Sequence, residues 1–210
     1  MSVATTLDEV RNEAPPSRSD IGPAPKQIVV AYGFWIFILS DIVMFSALFA
    51  AYAVLVRATA GGPTGAELFN QVILAIQTAC LLASSYTCGL MSLATKARRR
   101  IETYVLATTT FVLGAAFLVL EIREFAGMIA GGATPQRSAF LSAFFTLVGA
   151  HGLHVAAGLI WLALLMVHLE IRGFAANVER RLRCFALYWH ALDIIWVWLF
   201  TVVYLMGVRQ

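Results

Sequence analysis

Five long stretches of apolar residues follow one another along the chain, separated by short polar segments. They cover about 28–56, 68–95, 103–129, 139–169 and 184–207. Each exceeds the ~20 residues that a helix needs to cross the hydrocarbon core of a bilayer. None contains a proline, whereas Pro63 and Pro135 lie in connections that also contain glycine pairs. The pattern predicts an all-α polytopic membrane protein built as a bundle of five transmembrane helices.

Composition supports this interpretation and separates a tail from the bundle. Of the 210 residues, 60% are hydrophobic and only 13% are charged, about half the charged fraction of a soluble domain. Residues 1–27 contain four of the six prolines and mixed charges without an apolar signal region, which predicts a flexible cytoplasmic N-terminal tail and not a cleaved secretory signal. The transmembrane domain is predicted over 28–208. Cys80, Cys88 and Cys184 lack the paired spacing of a metal or redox motif and are interpreted as small buried hydrophobic residues.

Basic residues are distributed unevenly between the two ends of the predicted helices. The tail carries three, and the loops after the second and fourth stretches carry four each, at 96–100 and 172–183. The opposite side carries only Arg57, Arg137 and Arg209. Because basic loops remain in the cytoplasm, this distribution predicts a cytoplasmic N-terminus and a periplasmic C-terminus.

Ionisable residues inside the predicted spans are costly, so each is a candidate functional residue. The candidates are Asp41, Glu121, Glu124, His151, His154, His190 and Asp193. Six of them form three pairs with i, i+3 spacing, which places both members of a pair on one helix face. We therefore expect these faces to point into the bundle. Arg123 lies off the glutamate face and is expected to reach the outer membrane boundary.

The depth of these side chains is expected to separate them into two layers. Counting from the cytoplasmic end of each span, Glu121 and His151 come out at about 27 Å and Asp41 at about 20 Å. His190 and Asp193 come out at only about 9–14 Å. The count predicts an outer layer of acids and histidines and a separate inner layer.

Three interpretations of these residues remain open from the sequence. Carboxylate–imidazole pairs could fix helix register. A metal or haem site is the second, although two histidines three apart on one helix cannot be the two axial ligands of one haem, and paired Glu-x-x-His motifs are missing. Proton handling or lipid-headgroup binding is the third, with Asp41 as the best candidate. No nucleophile with a base, phosphate loop or nucleic-acid surface is recognisable, so no catalytic residue is predicted.

Two further patterns predict helix packing. Trp189, Trp196 and Tyr204 fall on nearly one stripe of the last span and are interpreted as packing residues or interface anchors. Gly152 and Ala156 have the small-xxx-small spacing of a close helix crossing.

Several segments resemble subunit III of the haem–copper terminal oxidases. They are YGFWIFILSDIVMFSALFAAYAVLV at Tyr32–Val56, HGLHVAAG at His151–Gly158 and YWHALDIIWVWLFTVVYLMG at Tyr188–Gly207. The loop at Ala60–Gly65 and the run at Arg137–His154 resemble more narrowly subunit III of bacterial cytochrome o ubiquinol oxidase. The resemblance extends over about residues 30 to 208.

The resemblance implies a non-catalytic accessory subunit of a proton-pumping oxidoreductase in the bacterial inner membrane. Haem and copper would belong to subunit I, the main partner, and this chain would carry no cofactor except bound phospholipid. Its implied roles are to brace subunit I, bind lipid and sustain proton uptake. The family's membrane carboxylate falls on Asp41, its acidic pair on Glu121 and Glu124, and its histidines on His151, His154 and His190, with Asp193 after them.

Two departures from the family and two alternatives accompany this expectation. Seven-span members begin with two further helices, and Arg123 stands where a tyrosine is expected between the two glutamates. Subunit III of a cytochrome c or menaquinol oxidase is an alternative, since five-span subunits occur there too. A stand-alone transporter or proton channel is the alternative from another class. It predicts inverted repeats or broken helices at the midplane, which the sequence lacks.

Overall fold

The computed structural model describes residues 26–61 and 70–205. The predicted tail and the C-terminal residues 206–210 lie outside the described residues, as does most of the connection before the second span. The described helices are α1 (Lys26–Leu55), α2 (Gln71–Lys96), α3 (Arg100–Ala130), α4 (Ala139–Arg172) and α5 (Ala176–Leu199). A 3₁₀ turn at Pro135–Arg137 precedes α4, and a π-helix at Phe200–Leu205 continues α5. All five long helices are apolar enough to span a membrane, which confirms the predicted all-α, five-span architecture.

The helices begin and end where local chemistry satisfies their free backbone groups. Asn70 caps α2, because its side-chain oxygen accepts hydrogen bonds from the backbone N–H groups of Val72 and Ile73. Ser138 caps α4 by accepting from the N–H of Leu141 at 3.2 Å. Gly173 ends α4 with a φ of +59°, which a residue without a side chain adopts at little cost.

The fifth helix begins eight residues earlier than the predicted fifth span. It starts at Ala176 instead of Cys184, and Val178, Leu182 and Phe185 are buried along its first turns. The arginines in this segment point away from the core. The segment is helical despite its charge because its apolar face packs against the bundle. The start of the fifth span is predicted after the last arginine of the basic loop, whereas the helix starts where apolar side chains become buried.

The bundle is a ring of antiparallel neighbours with one helix at its edge. The main contacts join α2 to α3, α3 to α4, α4 to α5 and α5 back to α2. Helix α1 packs only against α4 and α5 to any extent. Most of its surface is exposed, including Trp35, Phe37 and Val43.

A tryptophan at the centre of this ring is held by glycines on two neighbouring helices. A Cβ atom at Gly114 of α3 would lie 2.8 Å from the Trp189 ring, and one at Gly158 of α4 would lie 2.9 Å from it. The indole N–H donates to the Ser84 hydroxyl at 3.1 Å. Trp189, Trp196 and Tyr204 are all buried, so the aromatic stripe is a packing stripe, as one of its two interpretations predicted.

Candidate functional site: a polar band across the bundle

All seven predicted site residues lie in described helices, and all point at least partly into the bundle. Glu121 is 3% exposed and His151 is completely buried. The remaining five, Asp41, Glu124, His154, His190 and Asp193, are half-buried. Arg123 is exposed on the other face of α3, as its position off the glutamate face predicted.

Asp41 of α1 and His154 of α4 face each other at the edge of the bundle. The carboxylate Oδ1 lies 4.0 Å from His154 Nε2, with the two side chains 17% and 22% exposed. His154 Nδ1 bonds to the carbonyl of Ala150 at 2.7 Å, which orients the ring so that Nε2 points at Asp41. Phe45 covers the pair from α1, with its ring centroid 5.3 Å from that of His154. The arrangement is a partly shielded acid–imidazole pair.

Glu121 of α3 occupies a space that a glycine leaves open on α4. A Cβ atom at Gly152 would lie 2.7 Å from Glu121 Oε1 and 3.0 Å from Oε2, so the carboxyl group rests against the α4 backbone. Neither carboxyl oxygen has a hydrogen-bond partner among the described residues. The space beside Gly152 is therefore filled by a carboxyl group of the neighbouring helix, and the close helix crossing at Gly152 and Ala156 stays a prediction.

His151 lies beside Gly152 in an aromatic environment. Its ring centroid lies 5.2 Å from that of Trp196 with the two planes tilted by 31°, and Phe117 approaches edge-on at 5.8 Å. Neither ring nitrogen forms a hydrogen bond within the described part of the chain.

Glu124 lies one turn after Glu121 and has a partner that the sequence did not reveal. The Gln77 side-chain amide of α2, which is completely buried, donates to Glu124 Oε2 at 3.1 Å. Gln77 was missed because only ionisable residues were considered. Its position in an apolar span was the signal that could have found it.

His190 and Asp193 of α5 lie on the side of α5 that faces α1 and α2. His190 Nδ1 lies 2.8 Å from the Ser85 hydroxyl of α2, while Asp193 Oδ1 has no hydrogen-bond partner among the described residues. His190 also lines an apolar groove of about 620 Å³ between α1 and α5, together with Ser46.

The structure leaves the two separate layers as a prediction. Glu124 is paired with Gln77, whereas His190 lies beside Ser85, eight residues or about 12 Å away along α2. Tyr188 of α5 donates to the carbonyl of His154, and Trp196 contacts the ring of His151. His190 and Asp193 lie between those two contact points, so they are level with the histidines of α4 to within about two turns. The depth count started at Cys184, and the eight omitted residues of α5 correspond to about 12 Å. The seven residues form a polar band that extends over about two helical turns along the bundle.

The band does not bring three metal-ligating side chains together. In the described ranges, no group of three or more histidine, cysteine or acidic side chains is placed to hold a metal ion. The three cysteines are free and separate. The chemistry that the band can support is hydrogen bonding and proton binding.

The chain is similar to known proteins over most of its length. The family model described as cytochrome c oxidase subunit III matches residues 23–208. The chain belongs to the cytochrome c oxidase subunit III family. It is therefore a multi-pass membrane subunit III of a haem–copper oxidase.

Relatives in this family carry names that specify different electron donors. Cytochrome bo(3) ubiquinol oxidase subunit 3 of Pseudomonas aeruginosa is 50% identical over 84% of this chain and 84% of that protein. Quinol oxidase subunit 3 of Bacillus subtilis is 43% identical over 83% of this chain and 86% of its own length. Cytochrome c oxidase subunit 3 of Bacillus sp. PS3 is 42% identical over 83% and 84%.

Proposed function

We propose that this chain is the non-catalytic subunit III of a proton-pumping ubiquinol oxidase of the cytochrome o type, which reduces oxygen to water. The observation that carries the choice of donor is the 50% identity to a ubiquinol oxidase subunit, against 42% to a cytochrome c oxidase subunit over a similar length. Haem and copper reside in subunit I under this proposal, and electrons do not pass through this chain.

Bracing of subunit I is the first proposed role. A rigid bundle with an exposed apolar edge suits this role, and α1 carries large exposed side chains such as Trp35 and Ile36. Two features support rigidity. The Trp189 ring is wedged against Gly114 and Gly158, and helices α2 to α5 contact one another in a closed ring.

The proposed orientation has the N-terminus in the cytoplasm and the C-terminus in the periplasm of a bacterial inner membrane. Its support is the clustering of basic residues at one end of the bundle, where they also form ion pairs. Arg98 lies 3.2 Å from Glu179, and Arg100 lies 3.1 Å from Glu170. The acids thus anchor the loops locally while an excess of positive charge remains.

Phospholipid binding is proposed at the cytoplasmic end of the surface between α1 and α5. A cavity of about 310 Å³ there is lined by Arg180 and Arg183 together with Ile28, Phe34 and Leu187. Arginine side chains suit a phosphate group, and the apolar side chains suit the first part of an acyl chain.

Purification by a tag on this chain in mild detergent tests the complex and its donor. We expect large co-purifying subunits and the visible absorption of haem. The complex should consume oxygen when ubiquinol is the electron donor and should not do so with reduced cytochrome c. Oxygen consumption with reduced cytochrome c would show instead that the chain is subunit III of a cytochrome c oxidase. A colourless protein that purifies alone would contradict the oxidase assignment and favour the stand-alone transporter.

Substitution of Asp41 tests the proposed role in proton uptake. Asp41→Asn keeps the size and the hydrogen-bonding capacity of the side chain but removes the charge that faces His154. We expect normal assembly and haem content, with slower proton uptake in reconstituted vesicles or progressive loss of activity during turnover. Glu102→Gln, at an exposed position paired with Arg99, is the matched control and should behave as the parent. Failure of Asp41→Asn to assemble would show a structural role instead.

A further inference from the structure

The acidic pair of α3 is the least satisfied polar group in the described part of the bundle. Both oxygens of Glu121 and one oxygen of Glu124 are buried without a hydrogen-bond partner there, as are Gln77 Oε1 and both ring nitrogens of His151. A buried polar atom without a partner is destabilising, and a buried unpaired charge is more so. Such a group therefore needs a chemical explanation.

No cation among the described residues compensates the two carboxylates. Arg123 is exposed on the opposite face of α3. Arg137, at the outer end, is exposed and donates to the carbonyl of Gly132. Two negative charges one helical turn apart in an apolar interior would repel each other and lose their hydration, so at most one of them is expected to be ionised.

Within the described residues, the polar and titratable groups of the surrounding helices that lie inside the bundle include no permanent cation. Gln77 on α2, which does not titrate, is the hydrogen-bond donor. His151 and His154 lie on α4, and Tyr204 lies on the π-helix after α5. From α1, Asp41 faces His154, and the Tyr52 hydroxyl donates to the carbonyl of Val203 at 3.3 Å. None of these is a permanent positive charge.

The surroundings of the two carboxyl groups differ in a way that assigns the proton. Glu124 is half-buried and accepts a hydrogen bond from the Gln77 amide at 3.1 Å, a contact that favours the ionised form. Glu121 is 3% exposed, receives no hydrogen bond from the described residues, and lies against the backbone of Gly152. Such a site favours the neutral acid.

We propose that Glu121 and Glu124 form a buried proton-binding site, in which Glu121 carries a proton at neutral pH and Glu124 is its charged neighbour. The ligand is a single proton, held inside the bundle and separately from the Asp41–His154 pair at its edge. Gly152 is a positioning residue, because any side chain there would displace the Glu121 carboxyl group.

Infrared spectroscopy of the purified complex tests the assignment directly. At neutral pH we expect the carbonyl stretching band of a protonated carboxylic acid in the spectrum of the parent minus that of Glu121→Gln. The band should be retained in Glu124→Gln, and Glu102→Gln at the exposed cytoplasmic end should leave the spectrum unchanged. The measurement is read on whichever complex the tagged chain purifies with, so it does not depend on which electron donor that complex uses.

Glu121→Asp keeps the test decisive if Glu121→Gln fails to assemble. This variant retains a carboxylic acid in a slightly different position, so the band should shift instead of disappearing. The proposal is overturned if the parent and Glu121→Gln have the same carbonyl spectrum, if Glu121→Asp leaves the band unmoved, or if the band disappears in Glu124→Gln and persists in Glu121→Gln.

Discussion

At two levels of the same bundle, glycine makes room for side chains of different chemistry. At the Trp189 level, Gly114 and Gly158 make room for an indole whose N–H group is bonded to Ser84. At the Glu121 level, Gly152 makes room for a carboxyl group with no hydrogen-bond partner in the described residues. The Trp189 side chain both fills its space and forms its hydrogen bond. The Glu121 side chain fills its space but forms no hydrogen bond with the described residues. A side chain close to a glycine therefore identifies where two helices pack tightly. Whether that side chain also forms its hydrogen bonds distinguishes a packing residue from a candidate functional one.

The two levels also differ in how easily they deform. An indole held between three helices cannot move without repacking them, whereas a carboxyl group at the end of a glutamate can rotate away. Substitutions at the two kinds of glycine should therefore have different energies. Alkylation of Cys88, which is completely buried on α2, reports unfolding of this chain within the intact complex during a denaturing-detergent titration.

The largest effect is expected from Gly114→Ala. The added methyl group would lie 2.8 Å from Trp189 and 3.0 Å from Leu159, so the wedge must shift. Overpacking of this kind costs about 1–3 kcal/mol, and we expect the upper half of that range. Gly127→Ala is the matched control on the same helix, because nothing lies within 4 Å of its added atom. Equal Cys88 alkylation profiles for the two variants would show that the wedge is not rigid.

A smaller effect is expected from Gly152→Ala, because the atom that it meets belongs to a flexible side chain. We expect a loss of about 1–2 kcal/mol in the free energy of unfolding, within the range for overpacking. Gly149→Ala, whose nearest neighbour is an atom of Phe125 at 3.6 Å, is the control and should have little effect.

The same variant gives a test of its cause through a double-mutant cycle. If the methyl group clashes with the carboxyl group, Gly152→Ala should be better tolerated in a Glu121→Ala background, with a coupling of about 1 kcal/mol. Additive losses would place the clash elsewhere.

The smallest effect is expected from Ser84→Ala. It removes the acceptor of the Trp189 N–H group but leaves the ring and both glycines in place. A loss of about 1 kcal/mol is expected for one buried hydrogen bond. Ser46→Ala is the control, because that exposed hydroxyl bonds only to the carbonyl of Ile42 in its own helix. A loss larger than that of Gly114→Ala would show that the hydrogen bond, and not the shape of the wedge, holds this level together.

Local sequence determined the number of spans and the faces of the polar residues. Apolar length alone predicts a membrane-spanning helix, and the i, i+3 spacing places Glu121 with Glu124 and His151 with His154 without reference to any neighbour. Both predictions hold in the structure. The resemblance to the oxidase subunit family likewise required only sequence, since it is carried by residue identity along nearly the whole chain.

Only the tertiary structure decided which residues from different helices meet. Helix register sets the pairs Asp41–His154 and Gln77–Glu124 and the contact of Glu121 with Gly152. It also places His190 beside Ser85 and Glu124 beside Gln77 on α2. Spacing within a helix is fixed by its own geometry, whereas register between helices depends on how bulky side chains such as Trp189 pack into the spaces left by glycines on other helices. A count along one helix from an uncertain end cannot supply that information.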